Sequence, residues 1–142
     1  MSTLKVTNVK HETSGLNTLV FDNGGTSGGN GRVTTKGTIG EVITVSYAST
    51  ITLDFRTANN FSTTLTGNVT FANPSNLAAG QSGILFVLQD GTGGRTAAFG
   101  SYWDFSDGTA PTLSTGVNAV DMIAWVARSA NKISAQFVGN FS

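Results

Sequence analysis

From about residue 39 onward, apolar residues fall on alternate positions in short runs, each closed by glycine, asparagine, aspartate or proline. Period-two alternation sends successive side chains to opposite faces of an extended backbone, which suits a half-buried strand and not an amphipathic helix. Ile43, Val45 and Tyr47 form one such run. Ile51, Leu53 and Phe55, set against Thr52, Asp54 and Arg56, form the next, and Phe61, Thr63 and Leu65 form a third. Gly67-Asn68 turns the chain into Val69 and Phe71. Pro74 to Gly80 reads as a loop with one helical turn at residues 76–79. Ile84 to Leu88 is an unbroken apolar run, which predicts a strand covered on both faces. Asp90-Gly91 and Gly93-Gly94 then lead into Thr96 to Phe99.

Ala119 to Ala127, AVDMIAWVA, fits a buried strand or a short helix on apolar spacing alone. Its β-branched and aromatic content favours a strand. So does the second run Ile133, Ala135 and Phe137, reached across a short turn at Ser129 to Lys132, and the two together predict a hairpin. Strands at roughly ten-residue spacing predict an all-β domain over residues 39–142, an antiparallel β-sandwich of jelly-roll type. No fixed-period repeat is visible, which argues against a solenoid or propeller.

Residues 1–38 read differently. Leu4 and Val6 alternate, Val9 follows, and Leu16, Leu19 and Phe21 cluster before DNGGTSGGNG at residues 22–31, a Gly/Ser-rich hinge. Apolar residues in so short a segment cannot make a core of their own, so they predict an extended N-terminal arm for attachment or oligomerisation. The other reading makes this segment the first strand of the sandwich.

Composition narrows the function. Thr, Ser and Asn supply about a third of the chain and Gly another 18 residues, a mixture that favours strands and turns over helix interiors. Charged residues are only 11%, eight basic against eight acidic, and neither sign forms a run, so nucleic acid and membrane insertion are not expected. The N-terminus has no signal-peptide core, and no stretch approaches a membrane span. Without cysteine, disulfides and thiolate chemistry are absent.

The single histidine, His11, lies in the arm beside Glu12, so a Ser/His/Asp triad or a zinc site cannot be assembled from one chain. Two carboxylates suffice for glycoside hydrolysis, and Asp104 and Asp107 in YWDFSDG are the available pair. Beside them Tyr102 and Trp103 offer aromatic faces on which a pyranose could stack. The four residues Tyr102, Trp103, Asp104 and Asp107 are thus the candidate glycan-binding site, against the plainer reading of turn formers and aromatic plugs at a sandwich end. Asp90, Asp104, Asp107 and Asp121 are possible calcium ligands, but their spacing matches no EF-hand loop. No metal, cofactor or enzymatic activity is expected. The glycine-rich stretches at Gly24 to Gly31 and Gly91 to Gly94 lack the Gly-Lys-Ser/Thr ending of a phosphate loop and read as turns or hinges.

The opening STLKVTNVKHETSGLNTLVFDNGG resembles N-terminal segments of bacteriophage tail-fibre and other structural proteins, particularly of marine and cyanobacterial phages. ITLDFRTANNFSTTLTGNVTF, LFVLQDGTGGRT, GTAPTLSTGVNAVDMIAWVA and SAQFVGNF, in that order, resemble a β-rich module of phage virion proteins. The resemblance implies a structural virion protein assembled in the host cytoplasm: a short fibre, spike, head fibre or capsid-decoration protein. It also implies a homotrimer that meets other capsid or tail proteins; host surface polysaccharide is a further partner only through the candidate glycan-binding residues, which would make the chain a host-surface receptor-binding module.

Overall fold

A computed structural model describes residues 39–141, which lie within one compact unit. The described chain is all-β. Its strands are β1 (Val42–Thr44), β2 (Thr50–Ile51), β3 (Asn60–Leu65), β4 (Val69–Phe71), β5 (Ser82–Gln89), β6 (Ala97–Phe99), β7 (Trp103–Phe105), β8 (Val120–Ser129) and β9 (Lys132–Val138). Among the described residues the helical structure is a single 3-10 turn at Ser106–Gly108. The helical turn expected at residues 76–79 does not form. Instead the Gln81 side chain accepts the Ala78 N–H and donates to the Phe55 carbonyl, which holds the loop open. The apolar residues of the predicted arm, the hinge at 22–31 and His11 lie outside the described residues.

Six strands form one sheet in the order β1-β3-β5-β8-β9-β7, and three form a second in the order β2-β4-β6. Through its first six strands the chain alternates between the sheets, and each pair so made is parallel. Antiparallel pairing, expected throughout, is confined to β5–β8 and β8–β9, while β7 lies parallel to β9. The domain is therefore a short coil of three two-strand turns closed by an antiparallel hairpin, in place of the antiparallel jelly roll that the turn spacing predicted. The hairpin itself falls where the sequence put it.

The corners explain the difference. Gly67-Asn68 carries the chain from one sheet to the other and not back along the same sheet. Its Asn68 Oδ1 then accepts the Thr96 N–H, 28 residues on in the next turn of the coil. Asn60 does the same for Ile84 across 24 residues, Asn73 for Tyr102 across 29, and the Tyr47 hydroxyl donates to the Asn68 carbonyl across 21. Side chains that terminate strands locally thus also satisfy backbone donors of a neighbouring turn. Because these separations vary, the coil leaves no fixed period in the sequence.

The inward faces of both sheets close on one core. Phe61, Leu65, Leu85, Val87, Ile123 and Ile133 of the large sheet meet Ile51, Val69 and Phe71 of the small one. A run of rings crosses it: Phe61 to Phe55 at 5.6 Å, Phe55 to Trp103 at 6.4 Å, Trp103 to Phe99 at 5.8 Å and Phe99 to Phe71 at 5.5 Å. On β5 only Leu85, Val87 and Gln89 are buried; Ile84, Phe86 and Leu88, on the opposite face, are half-buried. The apolar run at 84–88 is thus covered fully on one side only. Across β8 this outer face continues with Val120, Met122 and Ala124, and ends at Val126 and Val138, exposed by 44% and 42%. The strands at the sheet edges, β1, β7, β2 and β6, are two or three residues long, which limits how much unpaired backbone they present.

Candidate functional site

Strand alternation separates the residues proposed as one glycan platform. On β7, Trp103 points inward and is 6% exposed; its ring packs edge-on to Phe55 and Phe99, and its indole N–H donates to the Ala72 carbonyl at 3.2 Å. It is a core residue and offers no face to a sugar. Asp104, the next residue, points the opposite way onto the outer face of the large sheet. Tyr102 precedes the strand, is half-buried, and has its N–H held by Asn73 Oδ1 at 2.9 Å. Asp107 is exposed in the 3-10 turn, at a positive φ of 59°. The structure therefore does not gather the four side chains into one surface.

What it does gather around Asp104 is a pair of cations. The Arg128 guanidinium bonds Asp104 Oδ2, and Lys132 Nζ reaches Asp104 Oδ1 at 3.1 Å and the Ser101 carbonyl at 3.0 Å. Arg128 lies near the end of β8 and Lys132 opens β9, so the hairpin turn between them brings both to Asp104. Beyond this cluster runs a shallow groove of about 530 Å³, lined by Asp104, Ser106, Ala124, Val126, Ser134 and Gln136 among others. Register builds it: Asp104 is opposite Ser134, Ser134 opposite Val126, and Gln136 opposite Ala124. Small side chains at Ala124 and Ser134, between larger neighbours, leave the trough. Ser106 Oγ and Gln136 Oε1, 3.2 Å apart, close one wall.

The sequence pointed to Asp104 and missed Arg128, Lys132, Ser134 and Gln136. Their signal was the same alternation that predicted the strands, since Val126 and Arg128 share one face of β8 and Lys132, Ser134 and Gln136 one face of β9. Only the hairpin register, once known, puts the two faces side by side.

The remaining acids have structural duties. Asp121 is 1% exposed, and its two oxygens accept the Ser114 and Asn140 N–H groups at 2.8 and 3.0 Å, tying the loop before β8 and the segment after β9 to the core. Asp90 Oδ1 accepts the Thr92 and Gly93 N–H groups while Oδ2 pairs with Arg95 at 2.9 Å. Buried Gln89 clamps the same loop, exchanging two 2.9 Å hydrogen bonds with the Arg95 backbone. The glycine-rich stretch at 91–94 is accordingly a braced turn. Among the described residues, no three histidine, cysteine or acidic side chains converge in a way that could hold a metal ion.

A protein-family model described as "Putative phage tail fibre C-terminal domain" matches residues 33–129. No curated protein and no solved structure matches the chain.

Proposed function

This chain belongs to the phage tail fibre C-terminal domain family, and on that premise we propose that it is a homo-oligomeric fibre or spike component, anchored by residues 1–38 and displaying residues 39–142 outward. The family is a structural one and makes the protein a virion component; assembly would take place in the host cytoplasm.

The observation that carries the oligomer is the outer face of the large sheet. Ile84, Phe86 and Leu88 of β5 stand opposite Ala124, Met122 and Val120 of β8, and Met122 is in turn opposite Val138 of β9. No charged residue interrupts this patch, in contrast to the opposite corner of the same sheet. A contiguous apolar patch on a chain of this size marks an interaction surface. A second copy is the occupant that the fibre reading supplies, and three copies are what the resemblance to phage structural proteins implies.

Light scattering on the purified full chain tests this, with an expected mass of three times 14.7 kDa. Replacing Phe86 by Asp should reduce that mass to one chain while leaving the far-ultraviolet strand signal unchanged. A wild-type monomer would overturn the oligomer. Labelling of intact virions separates tail from capsid: signal at the tail supports the fibre, and signal spread over the head would make this a decoration protein.

A further inference from the structure

The charges on the outer face of the six-stranded sheet are confined to one corner. Along the outward positions of β1, β3, β5 and the first half of β8 the side chains are Val, Thr, Asn, Ser, Ile, Phe, Leu, Met and Ala, none of them charged. Only where β7, β9 and the end of β8 meet do Asp104, Lys132 and Arg128 stand together. Exposed ion pairs of this kind contribute little to stability, so folding alone gives no reason for the concentration. Two cations share one carboxylate there, which leaves a net positive charge. Arg128 gives one N–H group to Asp104, and the rest of its planar fork remains for a second acceptor.

The groove beginning at this corner has a mixed lining. Ala124, Val126 and Phe105 supply apolar surface, while Ser106, Ser134 and Gln136 supply neutral hydrogen-bonding groups. Ser106 and Gln136 already bond each other, but an apolar ligand would take water from the Ser134 hydroxyl and from the outward edges of the other two and give no partner in return, which is costly. A sugar ring, with a C–H face and a rim of hydroxyls, matches both components, and about 530 Å³ lies within the range of small-ligand sites. The positive corner adds a requirement that a neutral sugar does not meet.

We propose that this groove binds an acidic saccharide, with the sugar rings along Ser134 and Gln136, at the margin of the apolar patch, and a ligand carboxylate on Arg128 and Lys132. The source of such a ligand rests on the fibre reading, because a displayed virion domain meets cell-surface polysaccharide. The groove replaces the platform sought at Tyr102 and Trp103; of the residues proposed there, it keeps Asp104.

The test uses the full chain and a panel of tetrasaccharides containing hexuronic acid, each compared with the same sugar after reduction of its carboxyl groups to alcohols. Binding is followed by calorimetry and by amide chemical-shift changes. At least one acidic member should bind at least about tenfold more tightly than its reduced form, with shifts centred on Ser134 and Gln136. Arg128→Gln should remove that preference, and Ser134→Trp, which fills the trough, should abolish binding altogether. Equal affinity for acidic and reduced forms, no binding by any member, or full binding by Ser134→Trp would each overturn the proposal. So would a change of oligomeric mass in Ser134→Trp, which would make the groove a contact between copies. Mass and virion labelling judge the fibre reading separately: a tail-located trimer that ignores acidic sugars sinks this inference alone.

Discussion

The rings of Phe55 and Trp125 lie face to face, centroids 4.2 Å apart and planes within 9°. Phe55 belongs to the first turn of the coil and Trp125 to the closing hairpin, so this one contact joins the coil to its cap. Both are almost fully buried. Truncating Trp125 to Ala should cost about 3–5 kcal/mol, the usual penalty for emptying an aromatic core site. Trp125→Phe should cost much less, because a ring remains to stack on Phe55. Urea unfolding at fixed protein concentration measures both, and equal losses would show that the stacking is not what matters.

Thr63 sits on the inward face of β3 at 1% exposure, opposite Val87, and its hydroxyl has no hydrogen-bond partner. A buried hydroxyl without a partner has lost its water and gained nothing. Thr63→Val keeps the shape and removes the orphan, so stability should rise by about 1 kcal/mol, or roughly 4–8 °C in melting temperature for a domain of this size. A melting temperature below wild type would contradict the account.

Gly83 lies in β5 directly against the Asn59 backbone of the preceding turn. A methyl group there would sit 1.8 Å from the Asn59 carbonyl oxygen, a backbone atom that cannot swing away. Gly83→Ala should therefore cost about 2–4 kcal/mol, through forced separation of β5 from the preceding turn. Gly91 is its control, since an added methyl meets nothing within 4 Å. Gly91→Ala should be neutral or slightly stabilising, by a few tenths of a kcal/mol, through loss of freedom in the unfolded chain. Thermal melts of the two variants should move in opposite directions or, at the least, differ by many degrees.

The strands were legible in the sequence and their partners were not, for a physical reason. Alternation at Phe61, Thr63 and Leu65, or at Ile133, Ala135 and Phe137, states which residues share a face. It says nothing about which strand lies alongside. Partner choice here is fixed by corners such as Asn60, Asn68 and Asn73, whose side chains bond a later turn of the coil. In sequence those residues look like any local turn former, so hairpins were the natural expectation. The hairpin of β8 and β9 was readable because its partners are adjacent in the chain. The site failed in the same way at Trp103, where period two, applied across YWDF, puts the indole and the Asp104 carboxylate on opposite faces and makes a shared platform impossible.

Acid sensitivity follows from two loop carboxylates. The Arg95 guanidinium bonded to Asp90 is the main cause holding that carboxyl below its ordinary value of 3.8; partial desolvation opposes it, and the Gly93 and Thr92 N–H groups add to the lowering. Asp54 is lowered from the same value chiefly by the Asn76 side-chain amide and then by the Arg56 N–H, with desolvation again opposing. A carboxyl whose folded pKa lies below its unfolded one stabilises the fold fully above the unfolded value. That contribution is lost as pH falls through the folded value. The domain should thus hold its melting temperature from neutrality down to about pH 5 and lose it progressively below about pH 4. Both groups lie half-buried at the surface within reach of solvent, so screening keeps each effect small, a few degrees at most. At pH 7, Asp90→Asn and Asp54→Asn should melt below wild type, and the gap should close as the pH approaches 2, where the wild-type acids are themselves neutral. A gap that stayed constant across this range would mean that the carboxylate charge contributes nothing and that the loops are held by shape alone.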